Sequence, residues 1–394
     1  MKVAGITAEY NPFHAGHAYQ LERIRAGLGE STPIVAVLSG DFVQRGEAAC
    51  FSKHTRAEAA VCAGVSLVLE LPLPWSLAAA EGFARGAVGL LEATGIVDII
   101  SFGSECGNLE RLRRCADALS DPALSDVLRC YLGKGISFAA ARERALVDIT
   151  DRDIAACLRA PNDLLAVEYI RAAGESVDFF PVKRVGSEHD GEGSASALRA
   201  RMAAGEEWLD SVPAPARLVY EREISLRRGP VTEDTLRLPL LSRLRERTLE
   251  DFAALPDAAE GLENKLCIAA RELTSFPEIA MAAKSKRYAL SRLRRMLMCA
   301  ALGVRKGMSD GVPPYIRVLA MDERGAALLR RMRRTAVLPV ITKSAHVRRL
   351  DGQAQTVFDL TSRAHDLYVL ACGDPALQRG GEDYRFTPYI AEKT

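Results

Sequence analysis

The chain has 394 residues, of which 48% are apolar, so it can bury a large core and is long enough for more than one folding unit. A formal charge of +1 excludes a chain that is basic throughout and says nothing of where the charges sit. Nine cysteines, an odd number without a CxxC pair, argue against a disulfide framework or a zinc knuckle, no run of about 18 apolar residues offers a membrane span, and "MKVAGITAEY" reads as a strand rather than a targeting segment; a soluble, cytoplasmic protein without a membrane partner is expected.

In chain order, the apolar run "KVAGITAEY" (2–10) reads as a buried strand and is followed by a helical pattern at 17–28. A strand at 33–40, a helix around 55–64, a strand at 66–72, a helix near 76–93 and a strand at 97–105 come next. Helical segments then fill 108–174, and "DFFPVKRV" (178–185) gives one more strand. Short apolar strands separated by helix-length crossovers predict an α/β fold, a doubly wound, Rossmann-like parallel sheet covered on both faces. From about 211 the alternation fades. "APARLVYEREI", "ENKLCIAARELT" and "KSKRYALSRLRRMLMCAALG" read as helices, so the expected division is a nucleotide-binding domain over 1–210 and a mostly helical domain over 211–394, joined near "SVPAPA" (211–216).

Ligands of such sheets sit beyond the carboxyl ends of the strands, where "NPFHAGH" (11–17) follows the first strand. A helix starting at or just after Gly16 presents unpaired N–H groups and the positive end of its dipole, a setting that favours phosphate, and Gly16 leaves the backbone open to close approach. His14 and His17 flank that point and can donate hydrogen bonds to an α-phosphoryl group as its charge rearranges during in-line displacement. Neither GxxxxGK[ST] nor GxGxxG after a strand is present. Two readings compete: the histidines satisfy hydrogen bonds in a turn, or they begin a zinc site. The other histidines (54, 189, 346 and 365) lack ligand-like spacing, so no metal site built from protein ligands alone is expected.

HxGH after the first strand resembles the signature of the nucleotidyltransferase and class I aminoacyl-tRNA synthetase superfamily, whose members attack the α-phosphate of ATP and release pyrophosphate. "GSASALR" (193–199) matches the superfamily's second, Ser-rich and basic signature, although Ser194 and Ser196 are also natural helix caps. Together "EYNPFHAGH", "LSGDFVQRGEAACFSKHTRAEAA", "LVLELP", "FGSE", "PNDLLAVEY" and "KSKRYALSRLRRMLMCAALG" resemble the bacterial tRNA(Met) cytidine acetate ligase family from the first strand to beyond residue 340. The resemblance implies an ATP-dependent ligase that uses ATP and Mg2+. It would activate acetate to acetyl-adenylate and transfer the acetyl group to the wobble cytidine of elongator tRNA(Met), giving N(4)-acetylcytidine. By the same resemblance, His14, His17 and Arg199 are catalytic. ATP contacts fall on Thr7, Ala8, Glu9, Tyr10, Asn11, Pro12, Phe13, His14, Ala15, Gly16, His17 and Gln20, and on Gly103, Asn162, Arg184, Ser194 and Ser196. Asn162 offers donor and acceptor to a base or ribose, or caps a helix after Pro161; Arg184 offers a fork suited to phosphate, or forms a surface ion pair. Asp41, Arg45 and Lys53 are candidates for groups near the triphosphate or magnesium. Ser66 stands where the family commonly has Asp, and Ser196 where Thr is usual.

Residues 265–350 carry 19 Lys plus Arg against 5 Asp plus Glu, a net charge of +14 that leaves −13 for the rest. Such asymmetry is the footprint of a polyanion partner. As one helix, 284–299 would place Lys284, Arg287, Arg292, Arg294 and Arg295 on one face and Leu290, Leu293, Met296 and Leu297 on the other, with Tyr288 among the cations to stack on an unpaired base. Arg330 and Arg331 form a second cluster. A solvated amphipathic face is the competing reading. A small-molecule adenylyltransferase of coenzyme biosynthesis, which needs no basic helical domain, and a non-catalytic RNA-binding protein on the same fold are the functional alternatives.

Overall fold

The computed structural model describes residues 2–184, 193–258, 261–286 and 288–392. Ten strands form: β1 (Ala4–Ala8), β2 (Ile34–Ser39), β3 (Phe42–Val43), β4 (Glu47–Ala48), β5 (Leu67–Leu71), β6 (Ile99–Ser104), β7 (Asp178–Lys183), β8 (Ile316–Met321), β9 (Val340–Ile341) and β10 (Tyr389–Ile390). The main sheet runs β10-β8-β5-β2-β1-β6-β7, with β9 beside β8, while β3 and β4 pair as a separate hairpin. The strands β2, β5 and β8 are buried along their whole length, which is why "IVAVLS", "LVLEL" and "IRVLAM" are unbroken or nearly unbroken apolar runs rather than alternating ones. The α/β class matches the sequence expectation, as does the order of elements through residue 183 apart from the β3–β4 hairpin, which was not expected.

From β1 the chain winds outward to β2 and β5, then returns to place β6 and β7 on the other side, so the strand order reverses at β1. The loops after β1 and β6 therefore flank one crevice at the carboxyl edge, and the site grows there.

The described part of the C-terminal half is mostly helical, but it is not helical throughout. It supplies β8, β9 and β10, and β8 lies antiparallel against β5, so the sheet is mixed. The segment around "SVPAPA" is no loose tether: Val212 and Ala216 are buried, and the helix Ala214–Ser225 packs on the helix Lys53–Cys62. The stretch 284–299 is not one helix either. Helix Leu290–Leu302 begins only at Leu290, and Lys284 instead ends the preceding helix Phe276–Ala283 as its C-cap. Among the described residues no helix is long and apolar enough to cross a membrane.

Candidate active site

After β1 the chain turns through Tyr10, whose φ of 45° is held by packing of its ring against Phe13 and His17, both with centroids 4.8 Å away. The loop is fastened from three sides. Asn11 Oδ1 accepts the Cys50 N–H at 2.7 Å, the Asn11 carbonyl accepts from Arg199 at 2.8 Å, and the Phe13 N–H donates to the Tyr220 hydroxyl at 3.0 Å.

His14 caps the helix Ala15–Leu28: its Nδ1 accepts the Gly16 N–H at 3.0 Å, and His17 Nδ1 accepts the His14 N–H at 3.2 Å. An Nδ1 that accepts carries no proton, so each neutral ring holds its proton on Nε2 and presents an N–H donor there. The rings lie 3.9 Å apart. Burial first, then the Arg184 and Arg199 charges, bring His14 down to about 4; burial, His14 and Arg184 hold His17 well below the usual imidazole range. Both are thus neutral donors at pH 7. Gly16 has a role the sequence reading did not foresee: a Cβ there would stand 2.8 Å from His14 Cε1, so the glycine makes room for the histidine ring itself.

A cavity of about 720 Å³ opens over the pair. Its wall includes Thr7, Ala8, Glu9, Tyr10, Asn11, His14, His17, Gln20, Arg45, Gly103, Asn162, Arg184, Ser194, Ser196 and Arg199, residues scattered over nearly two hundred positions. Ser194 caps the helix Ala195–Ala204 by accepting the Ala197 N–H at 3.2 Å, so its capping role and its place in the cavity coexist. Arg199 also lies 3.5 Å from Glu47. Asn162 is held by Glu105, whose Oε1 accepts from its side-chain nitrogen at 2.6 Å while Oε2 accepts the Asp163 N–H at 2.9 Å. Asp163 in turn accepts from Ser104 and from the Glu105 N–H, which locks "FGSE" to "PND".

Six expected residues lie elsewhere. Pro12 and Phe13 are buried behind the loop, and Ala15 and Gly16 are exposed at the helix start outside the wall. Asp41 and Lys53, candidates for the triphosphate, belong to a buried ion cluster. Lys53 Nζ lies 2.7 Å from Glu70 and 2.6 Å from Asp383, and Arg317 lies 2.9 Å and 3.0 Å from the same two carboxylates. Asp41 bonds His365 at 2.8 Å. Burial alone would raise the Asp41 pKa, but the His365 charge and hydrogen bond outweigh it and hold the carboxyl well below its usual range. His54, His365 and Asp383 place ligand atoms within 4.8 Å of one another, yet Lys53 and Arg317 already neutralise Asp383. Other wall residues escaped the sequence reading: Glu47 of the β3–β4 hairpin, and the aromatic residues Phe83, Phe102 and Tyr169.

With this geometry, the family model described as HIGH Nucleotidyl Transferase matches residues 1–383. The tRNA(Met) cytidine acetate ligase of Alkaliphilus metalliredigens (strain QYMF) is 33% identical over 425 residues, covering 100% of both chains. That of Caldanaerobacter subterraneus subsp. tengcongensis is 38% identical, covering 96% of this chain and 98% of its own. The chain belongs to the tRNA(Met) cytidine acetate ligase family. Its fold is also that of Thermotoga maritima TmcAL, with a TM-score of 0.94 and 35% identity for an apo crystal form, and 0.92 and 34% for a form bound with alpha-thio ATP, each covering 99% of both chains.

For a member of the tRNA(Met) cytidine acetate ligase family the basic residues deserve separate placement, and they do not form one surface. Lys284 is exposed after the helix Phe276–Ala283, and Arg287 lies outside the described residues. Arg292 sits 4.9 Å over the Tyr288 ring and donates to the Asp257 carbonyl at 2.6 Å. Arg294 and Arg295 turn inward: Arg294 is paired with Glu233 and lies 3.6 Å from Glu47, and Arg295 lines the cavity itself. Arg330 and Arg331 are exposed on the helix Glu323–Thr335, whose ends meet Ser66 and Gly95 at the amino edge of the parallel strands, opposite the cavity. A helical wheel shows which residues share a face but not what the face packs against, and Glu47, Glu233 and Asp257 lie far away in sequence.

Proposed function

We propose that this chain activates acetate with ATP and passes the acetyl group to a cytidine of tRNA, in keeping with the name tRNA(Met) cytidine acetate ligase that its relatives carry. The observation that carries the reading is the pair of neutral imidazoles, each with its proton on Nε2, on the wall of a cavity that also gathers Arg184, Arg199, Ser194 and Ser196. The alpha-thio ATP bound to the Thermotoga maritima relative supports ATP as the occupant.

An acetate oxygen attacks the α-phosphorus, the new O–P bond forms, and the bridging bond to the β-phosphate breaks with its electron pair leaving on pyrophosphate. Acetate is ionised at neutral pH, so no proton needs to move. The Nε2–H groups of His14 and His17 and the guanidinium groups of Arg184 and Arg199 stabilise charge on the phosphoryl oxygens. In the second step the cytidine amine attacks the acetyl carbonyl. The N–C bond forms, the C–O bond to phosphate breaks, AMP leaves with the electron pair, and the proton lost by the amine passes to the departing phosphate. Exclusion of water protects the mixed anhydride meanwhile.

The wall carboxylates are engaged, Glu9 by the Gln44 N–H at 2.9 Å and Glu47 beside Arg199 and Arg294, so magnesium fits as a companion of the phosphate oxygens rather than as an ion in a protein cage. There it neutralises phosphate charge. We assign most of the ATP-facing wall to 1–210, with Ser291 and Arg295 joining it from the second half, and the tRNA-facing surface to 211–394, with Lys284, Arg287, Tyr288 and Arg292 on one part of it and Arg330 and Arg331 reserved for a more distant part of the RNA. The test is mass spectrometry of tRNA incubated with the protein, ATP and labelled acetate. Label on a single cytidine is the expected result. Turnover of ATP with no label on RNA would favour a small-molecule adenylyltransferase, and RNA binding without turnover a non-catalytic protein.

A further inference from the structure

Arg295 is a cation without an adequate partner. Its side chain is 13% exposed, its only carboxylate neighbour among the described residues is Asp257 at 3.7 Å, and its Nε is buried with no hydrogen bond. Burial draws its pKa down, with Asp257 pulling the other way. A buried donor left unmade costs stability that an anionic ligand would recover. Arg294, one residue earlier, also has a buried Nε without a hydrogen bond, but it differs in having two glutamates, Glu47 and Glu233, and in not lining the cavity.

The helix Ala80–Ala93 ends its first turn in the same wall. Its N-cap, Ala79, makes no side-chain cap bond, and its leading N–H groups lack an acceptor within the helix at the positive end of a 14-residue dipole. Ala79, Glu81, Gly82 and Arg295 also share the lining of a small adjoining cavity of about 220 Å³, which puts guanidinium and helix start side by side. Glu81 is 65% exposed and turned to Arg85 at 3.8 Å. One turn along the helix, Phe83 is 3% exposed and lines the main cavity, as does Ala80. The wall therefore brings a cation from one helix beside the starting N–H groups and an apolar side chain of another.

We infer that Arg295 and the amino end of the helix Ala80–Ala93 hold the carboxylate of acetate, with Phe83 closing over its methyl group and limiting acyl length. The inference rests on the acetate-ligase reading and names that reaction's second substrate site. ATP phosphates have other cations: the charges that bear on His14 and His17 are Arg184 and Arg199, and Arg295 is not among them. Arg295 shares the cavity wall with Arg184 and Arg199, so an anion held there enters the same space as the phosphates, as a nucleophile approaching the α-phosphorus must.

The test is ATP–pyrophosphate exchange, with the KM values for acetate and ATP measured separately. Arg295→Gln removes one charge-assisted contact, so the KM for acetate should rise roughly 10- to 150-fold while the KM for ATP changes less than about threefold. Arg295→Lys should recover part of the loss, since it restores charge without the planar fork. Phe83→Ala should shift the ratio of kcat/KM for propionate over acetate upward by about tenfold or more, the worth of one or two methylenes of pocket space. A rise in the KM for ATP with that for acetate unmoved would make Arg295 a phosphate ligand and overturn the inference, as would unchanged acyl preference in Phe83→Ala. Wild-type exchange that does not need acetate would overturn the acetate-ligase reading itself.

Discussion

Lys53→Met separates a structural cation from a substrate ligand. Lys53 is fully buried, and its ammonium lies between Glu70 at 2.7 Å and Asp383 at 2.6 Å. Methionine keeps the stem and deletes the charge, leaving Glu70 with Arg317 alone, while Asp383 keeps Arg317 and the more distant His365 charge. Breaking such a cluster by removing one partner costs about 3–5 kcal/mol. An unfolding entropy of about 2.1 cal/mol/K per residue gives about 0.8 kcal/mol/K for the chain, so the melting temperature should fall by about 4–6 °C. Differential scanning calorimetry measures the fall. At a temperature well below the transition, the KM for ATP should stay within about threefold of wild type, since Lys53 does not line the cavity. An unchanged melting temperature with a tenfold or larger rise in the KM for ATP would refute this reasoning and return Lys53 to the triphosphate.

Burial works against protonated His365, but the charges of Asp41 and Asp383 with the bonds to Asp41 and Glu382 raise it to about 10. Its folded value exceeds the unfolded one of about 6.5, so its stabilisation is complete below about pH 6.5 and is lost as pH climbs toward 10. Urea unfolding should show stability falling across that window, and a His365→Gln variant with the same slope would contradict it. His14 and His17 are held neutral in the free protein, and phosphate charge favours their protonated forms, so ATP affinity measured by calorimetry should tighten from pH 7 to pH 5; affinity that weakens instead would count against phosphate beside the rings. Gly46 has φ +74°, and a Cβ there would overlap the backbone of Arg294 and Arg295. Gly46→Ala should cost about 1–3 kcal/mol in denaturant titration and lower pyrophosphate exchange by displacing Arg295, whereas a variant equal to wild type in both would show that hairpin and helix do not depend on each other.

Much of the site was legible because its chemistry is local. "NPFHAGH" contains the strand exit, the cap and both imidazoles, and periodicity alone placed it at the carboxyl edge. The groups that required coordinates are those whose partners are distant. Lys53 and Asp41 sit among motif residues, yet Arg317, His365 and Asp383, more than 250 positions on, draw them inward. Arg295 reads as surface on a wheel and faces the cavity because helix Leu290–Leu302 packs against the β3–β4 hairpin. The strand β8, "IRVLAM", carries a charged residue in an apolar run; Arg317 is tolerated there only because Glu70 and Asp383 meet it, a pairing invisible in the linear chain.

Acetate-dependent ATP–pyrophosphate exchange by His14→Ala and His17→Ala tests the phosphate cradle most directly. Loss of one such donor should lower exchange by about 100-fold or more, while circular dichroism stays native and loss of the His14 cap costs only about 1 kcal/mol. Folded variants that both exchange at the wild-type rate would contradict it.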